Sequence, residues 1–387
     1  LVASILHHLS AKFSNLAAYK SLKQKVNNGK VYITGLNQTG KLLVLSQIRQ
    51  DTSKKIIYVV KNESEQAALK QDLEQLTNTP IYTYPDLKSE RINRKEYIAD
   101  FLERASATAA LTTKEPGIFI FPAKSLIEPL TSPASASDFK VGREYNIEEL
   151  LVQSIANGYE RQTKVFQSGE VAMRGGVIDI FALGNQYPYR LEFNGSQLEQ
   201  IVEFDPVSAA TRNHLDLIKV PAIKSAKINQ YLLDLMEPDP KPYLLIFHQA
   251  DELFQMLYEL YQGSNNNRDN TILTTVSKQL DILPAWHFVA IPPTERDLIR
   301  FDLASAPLFA NNLNRLANEI KKYDSKNYQI ILATEKSKQL LPVLLDHKIA
   351  MGDQPTDKLA LLEGRAPEGF MSAALKIILL TDTEIFS

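Results

Sequence analysis

The stretch from Lys30 to Gln50 constrains this chain most. It runs from a short β-branched strand (Val31–Thr34) through Gly35-Leu-Asn-Gln-Thr-Gly40-Lys41-Leu42 into a segment of helical composition, Lys41–Gln50. A strand that leaves through a glycine-bounded turn and opens a helix begins a crossover, and crossovers build parallel sheets. The text that follows agrees. Ile56–Val60 is a second apolar run, and Asn62 followed by Glu65 resembles a capping box. Leu69, Leu73 and Leu76 recur at helical spacing, and Gly117–Phe121 reads as a further strand. The expectation is a doubly wound α/β layer.

The same turn has the outline of a phosphate-binding loop, whose backbone N–H groups and lysine cradle phosphates. Such a loop also needs a Ser or Thr after the lysine to hold Mg²⁺, and Leu42 stands there. The acidic residue required at the end of a later strand is displaced. Leu244–Phe247 runs into His248-Gln249, and Asp251 and Glu252 fall in what reads as the next helix. Gly35, Gly40, Lys41 and Leu42 are therefore read as a degenerate nucleotide loop that shapes the fold. Weak phosphate binding at Lys41 is the alternative.

Around Thr131–Asp138 the text turns small and polar, as a linker does. Beyond it the pattern is β-rich. Val177–Phe181 is strand-like, and in Tyr189–Phe193 the residues Tyr189, Leu191 and Phe193 alternate with Arg190 and Glu192. Asn194-Gly195 then separates this strand from Leu198–Phe204, a hairpin signal in which both turn positions take positive φ. From Tyr243–Phe247 and Trp286–Ala290 the α/β pattern resumes. A last block follows: a helix with Leu313, Leu316 and Ile320, a strand at Tyr328–Ala333, a helix near Ser337–Leu345 and a strand at Ile377–Thr381. The expected division is 1–131, an inserted domain at 132–217, a return to the first fold at 218–300, and a small α/β domain at 301–387.

With 387 residues the chain exceeds what one compact core holds. Cysteine is absent, which removes disulfides and thiolate metal sites and suits a reducing cytoplasm. No run of about 18 apolar residues spans a membrane. Leu1–Lys12 lacks a signal pattern and also a methionine, so the numbering is expected to start inside a longer chain or past a removed tag.

Three blocks carry a resemblance: Gly169-Glu-Val-Ala-Met-Arg174-Gly-Gly-Val-Ile-Asp179-Ile-Phe181, Pro188-Tyr-Arg190-Leu-Glu192-Phe193, and Glu203-Phe-Asp205-Pro206. Together they resemble the small inserted domain shared by UvrB and the bacterial transcription-repair coupling factors (Mfd). The order of blocks resembles the family too, and the end, Gly369-Phe370 … Lys376–Phe386, is similar to its text before the RNA-polymerase-binding domain. The resemblance implies the N-terminal UvrB-homology region of a coupling factor. Its fold would be a degenerate P-loop, helicase-like parallel-sheet domain with an inserted β-rich α+β domain and a small C-terminal α/β domain. It also implies a non-catalytic, cytoplasmic adaptor that recruits UvrA to stalled RNA polymerase in nucleotide excision repair and restrains the motor of the intact protein through an intramolecular contact. ATP, Mg²⁺, RNA polymerase and duplex DNA would then belong to other domains, and this chain would need no cofactor. UvrB itself, a nucleotide-dependent DNA-damage-processing protein, is the alternative. Against it stand Leu42 and the short charged stretch Tyr82–Tyr97, where UvrB carries a long aromatic hairpin.

Between Thr131 and Ile218 seven Lys/Arg face twelve Asp/Glu, a poor composition for neutralising DNA phosphates. Arginines in such a setting suit directional contacts to a partner's carboxylates. The residues read as contacting UvrA are Arg161, Arg174 and Arg190, with Phe181 as apolar anchor and Glu170 as complementary charge. Phe181 shares a strand face with Val177, which favours a core position over a contact. Asp179 is expected to cap or pair locally, and Gly175-Gly176 to permit a bulge or a close backbone approach. The basic run Lys88, Arg91, Arg94 and Lys95 is diluted by Glu90 and Glu96 and reads as a solvated face. His7-His8 are adjacent and do not share a helix face, so no metal pair is read, and no catalytic residue is proposed.

Overall fold

The computed structural model describes every residue except 1, 28, 88–93, 132–136, 184, 224–229, 263–266 and 293–296. In its helices the side chains of 2–4, 7, 94–95, 260–262 and 267–271 are also left undescribed. Most of the expected linker, the Lys88–Lys95 run and the His7 side chain thus lie outside the described residues. The chain forms two compact units. The first comprises Leu1–Tyr82, Glu115–Ile127 and Leu233–Ser387; the second, inserted unit comprises Thr83–Lys114 and Glu128–Leu232.

The first unit is α/β around a parallel sheet. Its seven strands lie in the order Leu298–Arg300, Lys30–Thr34, Ala285–Phe288, Tyr243–Phe247, Lys55–Val60, Ile118–Pro122, Ile81–Thr83, with the first six paired in parallel. Lys55–Val60 and Ile118–Pro122 are buried along their whole length, as central parallel strands must be. A second sheet runs Leu303–Ser305, Phe370–Ser372, Ile377–Thr381, Gln329–Thr334, Leu359–Glu363, the last three in parallel. One apolar core runs through both sheets, from Leu9 and Phe13 through Val44 and Ile56 to Ile331, Phe370 and Leu379. The helix Gln38–Asp51 starts three residues before the expected Lys41, because the Asn37 side chain accepts from the Gly40 N–H and caps it there. At the next helix, Asn62 accepts from the Glu65 N–H, but the Glu65 carboxylate reaches back to the Lys61 N–H, one residue short of a reciprocal box.

The inserted unit is built on a six-stranded sheet ordered Thr211–Leu215, Gln197–Phe204, Tyr189–Asn194, Val177–Ile180, Glu170–Arg174, Glu160–Arg161, antiparallel except for the last pair. Its inner face (Val171, Ile178, Ile180, Leu191, Leu198, Ile201) packs with Leu150 and Leu151 of the helix Ile147–Ala156 and with Ile98 and Phe101 of the helix Arg94–Thr112. The expected alternation of Tyr189–Phe193 holds, with Leu191 buried and Tyr189 and Phe193 packed beside it. The hairpin turn differs from expectation. Asn194 is still paired, to Gln197, so the two loop residues are Gly195 and Ser196, and positive φ is needed only at Gly195 (60°). Glycine at the first loop position is the II′ arrangement, which the dipeptide Asn-Gly does not announce. Among the described residues no helix is long and apolar enough to cross a membrane, and no group of three or more His, Asp or Glu is placed to hold a metal ion.

A candidate partner interface and the Gly35–Leu42 loop

In the inserted unit the register brings Ala172, Asp179, Arg190 and Val202 into one row across the outer face of the sheet. Asp179 is 2% exposed, so its carboxylate must be satisfied from within. Arg190 meets it with two bonds, Nε to Oδ1 at 2.7 Å and Nη2 to Oδ2 at 3.0 Å, and Arg174 adds Nη2 to Oδ2 at 2.9 Å. The Arg190 guanidinium lies 4.4 Å over the Phe204 ring, and its bonds to Asp179 hold it above its ordinary pKa. Asp179 therefore pairs locally, as read from the sequence. The two arginines differ in what they show to solvent: the Arg190 side chain is 21% exposed and that of Arg174 50%. Of the five guanidinium N–H donors an arginine carries, Arg174 shows one bond among the described residues, to Asp179.

The other predicted contact residues are dispersed. Arg161 is exposed on the edge strand Glu160–Arg161. The Glu170 carboxylate turns onto its own chain, accepting from the Phe166 N–H (2.6 Å) and the Gln167 N–H (2.9 Å). Phe181 is 8% exposed and forms a small apolar cluster with Val165, Ala172 and Phe204. The hairpin Gly175-Gly176 brings backbones close, since a Cβ on Gly176 would sit 2.8 Å from the Phe193 carbonyl oxygen. Asp205, in the third motif block, shapes a turn: its carboxylate accepts from the Val207 and Ser208 N–H groups and from Arg212. Those bonds hold it down at about 2 and leave Val207 at the turn, 87% exposed. Sequence reasoning missed Phe204, the platform beneath Arg190, and Arg104, a helical arginine only 3% exposed. Arg104 lies 4.4 Å over the Tyr84 ring, donates to the Pro85 carbonyl and pairs with Glu128 at 2.9 Å.

In the first unit, Gly35 has φ 75° and its Cα faces the Phe301 carbonyl so closely that a Cβ would lie 1.8 Å from the oxygen, so only glycine fits. The loop after it is covered by its own chain. The Gln38 N–H donates to the Glu368 carboxylate (2.9 Å), the Thr39 hydroxyl to the Glu368 carbonyl (2.6 Å), and the Asn37 amide to the Gly369 carbonyl (2.9 Å). Leu42 is fully buried in the core. Burial lowers the Lys41 ammonium pKa, with Glu368 the leading opposing charge. His248, next to the buried strand Tyr243–Phe247, contacts the Tyr58 hydroxyl at 2.8 Å and is pushed down to about 3 by burial and then by Lys41. Asp251 and Glu252 sit in the first turn of the helix Ala250–Gln262, where Glu252 pairs with Lys61.

Beside the loop lies a cavity of about 360 Å³ whose lining includes Gln38, Glu65, Asp72, His248 and Arg365. Burial raises the Asp72 carboxyl to about 6, against the opposing pull of Arg365. A carboxyl raised on folding contributes stability below its unfolded pKa and loses it as pH rises through the folded value. The first unit should therefore lose on the order of 1 kcal/mol between pH 4 and pH 7 through this group, after discounting for its partial exposure. Chemical denaturation of Asp72→Asn across that range should show the slope flattened; an unchanged slope would locate the effect elsewhere.

Residues 138–225 match the family model described as UvrB interaction domain, and the Arg–Asp–Arg face lies inside that span. Similarity to known proteins extends beyond that span. The chain is 23% identical over 230 residues to the transcription-repair-coupling factor of Staphylococcus aureus (strain bovine RF122 / ET3-1), covering 58% of this chain and 20% of that protein. It is 23% identical over 240 residues to that of Staphylococcus haemolyticus (strain JCSC1435), covering 60% and 20%. These findings bear out the resemblance drawn from the sequence. The matched part spans about a fifth of the length of those relatives.

Proposed function

We propose that this chain is a non-catalytic adaptor region whose inserted unit docks UvrA, serving transcription-coupled nucleotide excision repair. The observation that carries the reading is the outer-face cluster of Arg174, Asp179 and Arg190 within the match to the UvrB interaction domain. A buried carboxylate holds both guanidinium groups in place before any partner arrives, so little side-chain entropy remains to be lost on docking. Arg174 then offers its outward donors to a partner carboxylate, with bidentate geometry available to it. The acidic balance of the surrounding unit favours such a protein partner over duplex DNA. Arg190, Phe181 and Phe204 would act as the support beneath Arg174, while Arg161 and Glu170 would mark the edge of the contact. RNA polymerase, DNA and an ATP-driven motor would be served by other domains of a longer protein, with this region restraining that motor.

Calorimetry of the chain with purified UvrA tests this. Arg174→Ala should weaken binding by about 1–3 kcal/mol, and raising the salt should weaken the wild type because exposed charges are screened. Binding indifferent to Arg174 would move the contact off this face. The alternative, a UvrB-like nucleotide-dependent protein, would require ATP turnover that depends on Lys41.

A further inference from the structure

The segment Arg365–Gly369 closes on the degenerate loop in a manner the partner-docking reading does not use. A phosphate loop presents the N–H groups at the start of its helix to an anion. Here the N-terminal N–H of Gln38 already has one, Oε2 of Glu368 at 2.9 Å. Three further bonds join the same two stretches: Thr39 hydroxyl to Glu368 carbonyl, Glu368 N–H to Thr39 hydroxyl at 3.1 Å, and Asn37 amide to Gly369 carbonyl. Thr39 is fully buried under this contact. The charges nearby also disfavour a phosphate. Glu65 and Asp72 line the adjoining cavity with Arg365, and Glu368, Glu65 and Glu252 are the carboxylates acting on Lys41.

We propose that Glu368 is the resident anion of this loop: a carboxylate of the chain itself takes the place of a phosphate and latches Glu368–Gly369 onto Asn37–Thr39. In a working phosphate loop, closure of the flanking chain depends on whether nucleotide is present. A built-in carboxylate removes that dependence and keeps this part of the first unit in one permanently closed state. The loop's glycine-bounded shape is then retained as a socket for the latch.

Amide hydrogen exchange on the whole chain tests the latch, comparing wild type, Glu368→Ala and Glu368→Gln, each with and without millimolar inorganic pyrophosphate. In the wild type the Gln38 amide should exchange slowly and be indifferent to pyrophosphate. Glu368→Ala should speed exchange at Gln38 and Thr39 by roughly tenfold or more, the size of a lost charge-assisted bond, while the strand Lys55–Val60 stays protected. Glu368→Gln keeps the length and an acceptor without the charge, and should fall between the two. It also supplies the reading if the alanine variant does not fold. Unchanged Gln38 exchange in both variants would overturn the proposal, as would a wild-type Gln38 amide that pyrophosphate slows further.

Discussion

Replacing Arg104 by alanine is expected to destabilise the inserted unit by about 2–3 kcal/mol, because it removes a buried guanidinium together with its ring, carbonyl and carboxylate contacts. The side chain is 4% exposed and has three kinds of contact: the Tyr84 ring, the Pro85 carbonyl and the Glu128 carboxylate, with Asp86 at 3.9 Å. All of these flank points where the chain passes into the unit, at Thr83 and at Glu128. The Tyr84 hydroxyl in turn accepts from the Thr131 N–H at 2.6 Å, and the Leu130 N–H donates to the Gln230 carbonyl near the exit. Arg104 therefore gathers the two entering stretches of chain, and its loss should raise amide exchange along 84–86 and 128–131 together. Arg104→Lys retains charge but not the planar fork, and should recover less than half of the loss. The measurement is exchange or urea denaturation resolved by unit. A loss confined to the helix Arg94–Thr112 would show that the segments 84–86 and 128–131 do not depend on it.

Asp179→Ala should cost about 2–4 kcal/mol and should weaken UvrA binding as well. The carboxylate accepts three charge-assisted bonds at 2.7–3.0 Å, and its removal takes away the counter-charge that both guanidinium groups share, leaving Arg190 the weaker pull of Glu192. Both arginines keep access to water, which limits the penalty below that of a sealed pair. A cycle of Asp179→Ala, Arg190→Ala and the double variant should give a coupling of about 1–3 kcal/mol. Additive losses would mean that the bonds contribute little beyond packing. If UvrA affinity survives in the folded Asp179→Ala variant, the partner does not depend on how the arginines are held.

The sequence made the strands of both units legible because their burial leaves a pattern: continuous apolar runs in Lys55–Val60 and Ile118–Pro122, alternation in Tyr189–Asn194. Arg174 and Arg190 were legible as candidates through their motif, but not as a pair. Asp179 and Arg190 stand opposite each other only once the register is known, and the stretch between their strands, Phe181–Pro188, is too long to fix it. Arg104 left no trace at all. Its helix, Arg94–Thr112, mixes alanines and charged residues with Ile98, Phe101 and Leu111, a composition that does not single out one of its arginines as buried. Nor could spacing reveal that Glu368, more than three hundred residues away, would settle on Gln38.

The inserted unit is assembled from two separate stretches of chain, and this limits how it can be inherited or transplanted. Residues 138–225 carry the family match, yet Ile98 and Phe101, which complete the core under the sheet, arrive from the earlier stretch Thr83–Lys114. A recombination event or a designed chimera that exchanged only the later stretch would join a sheet from one ancestor to a supporting helix from another. Such hybrids should survive only when both lineages place similar side chains at 98, 101 and 104, so those positions should travel with the sheet as one heritable block.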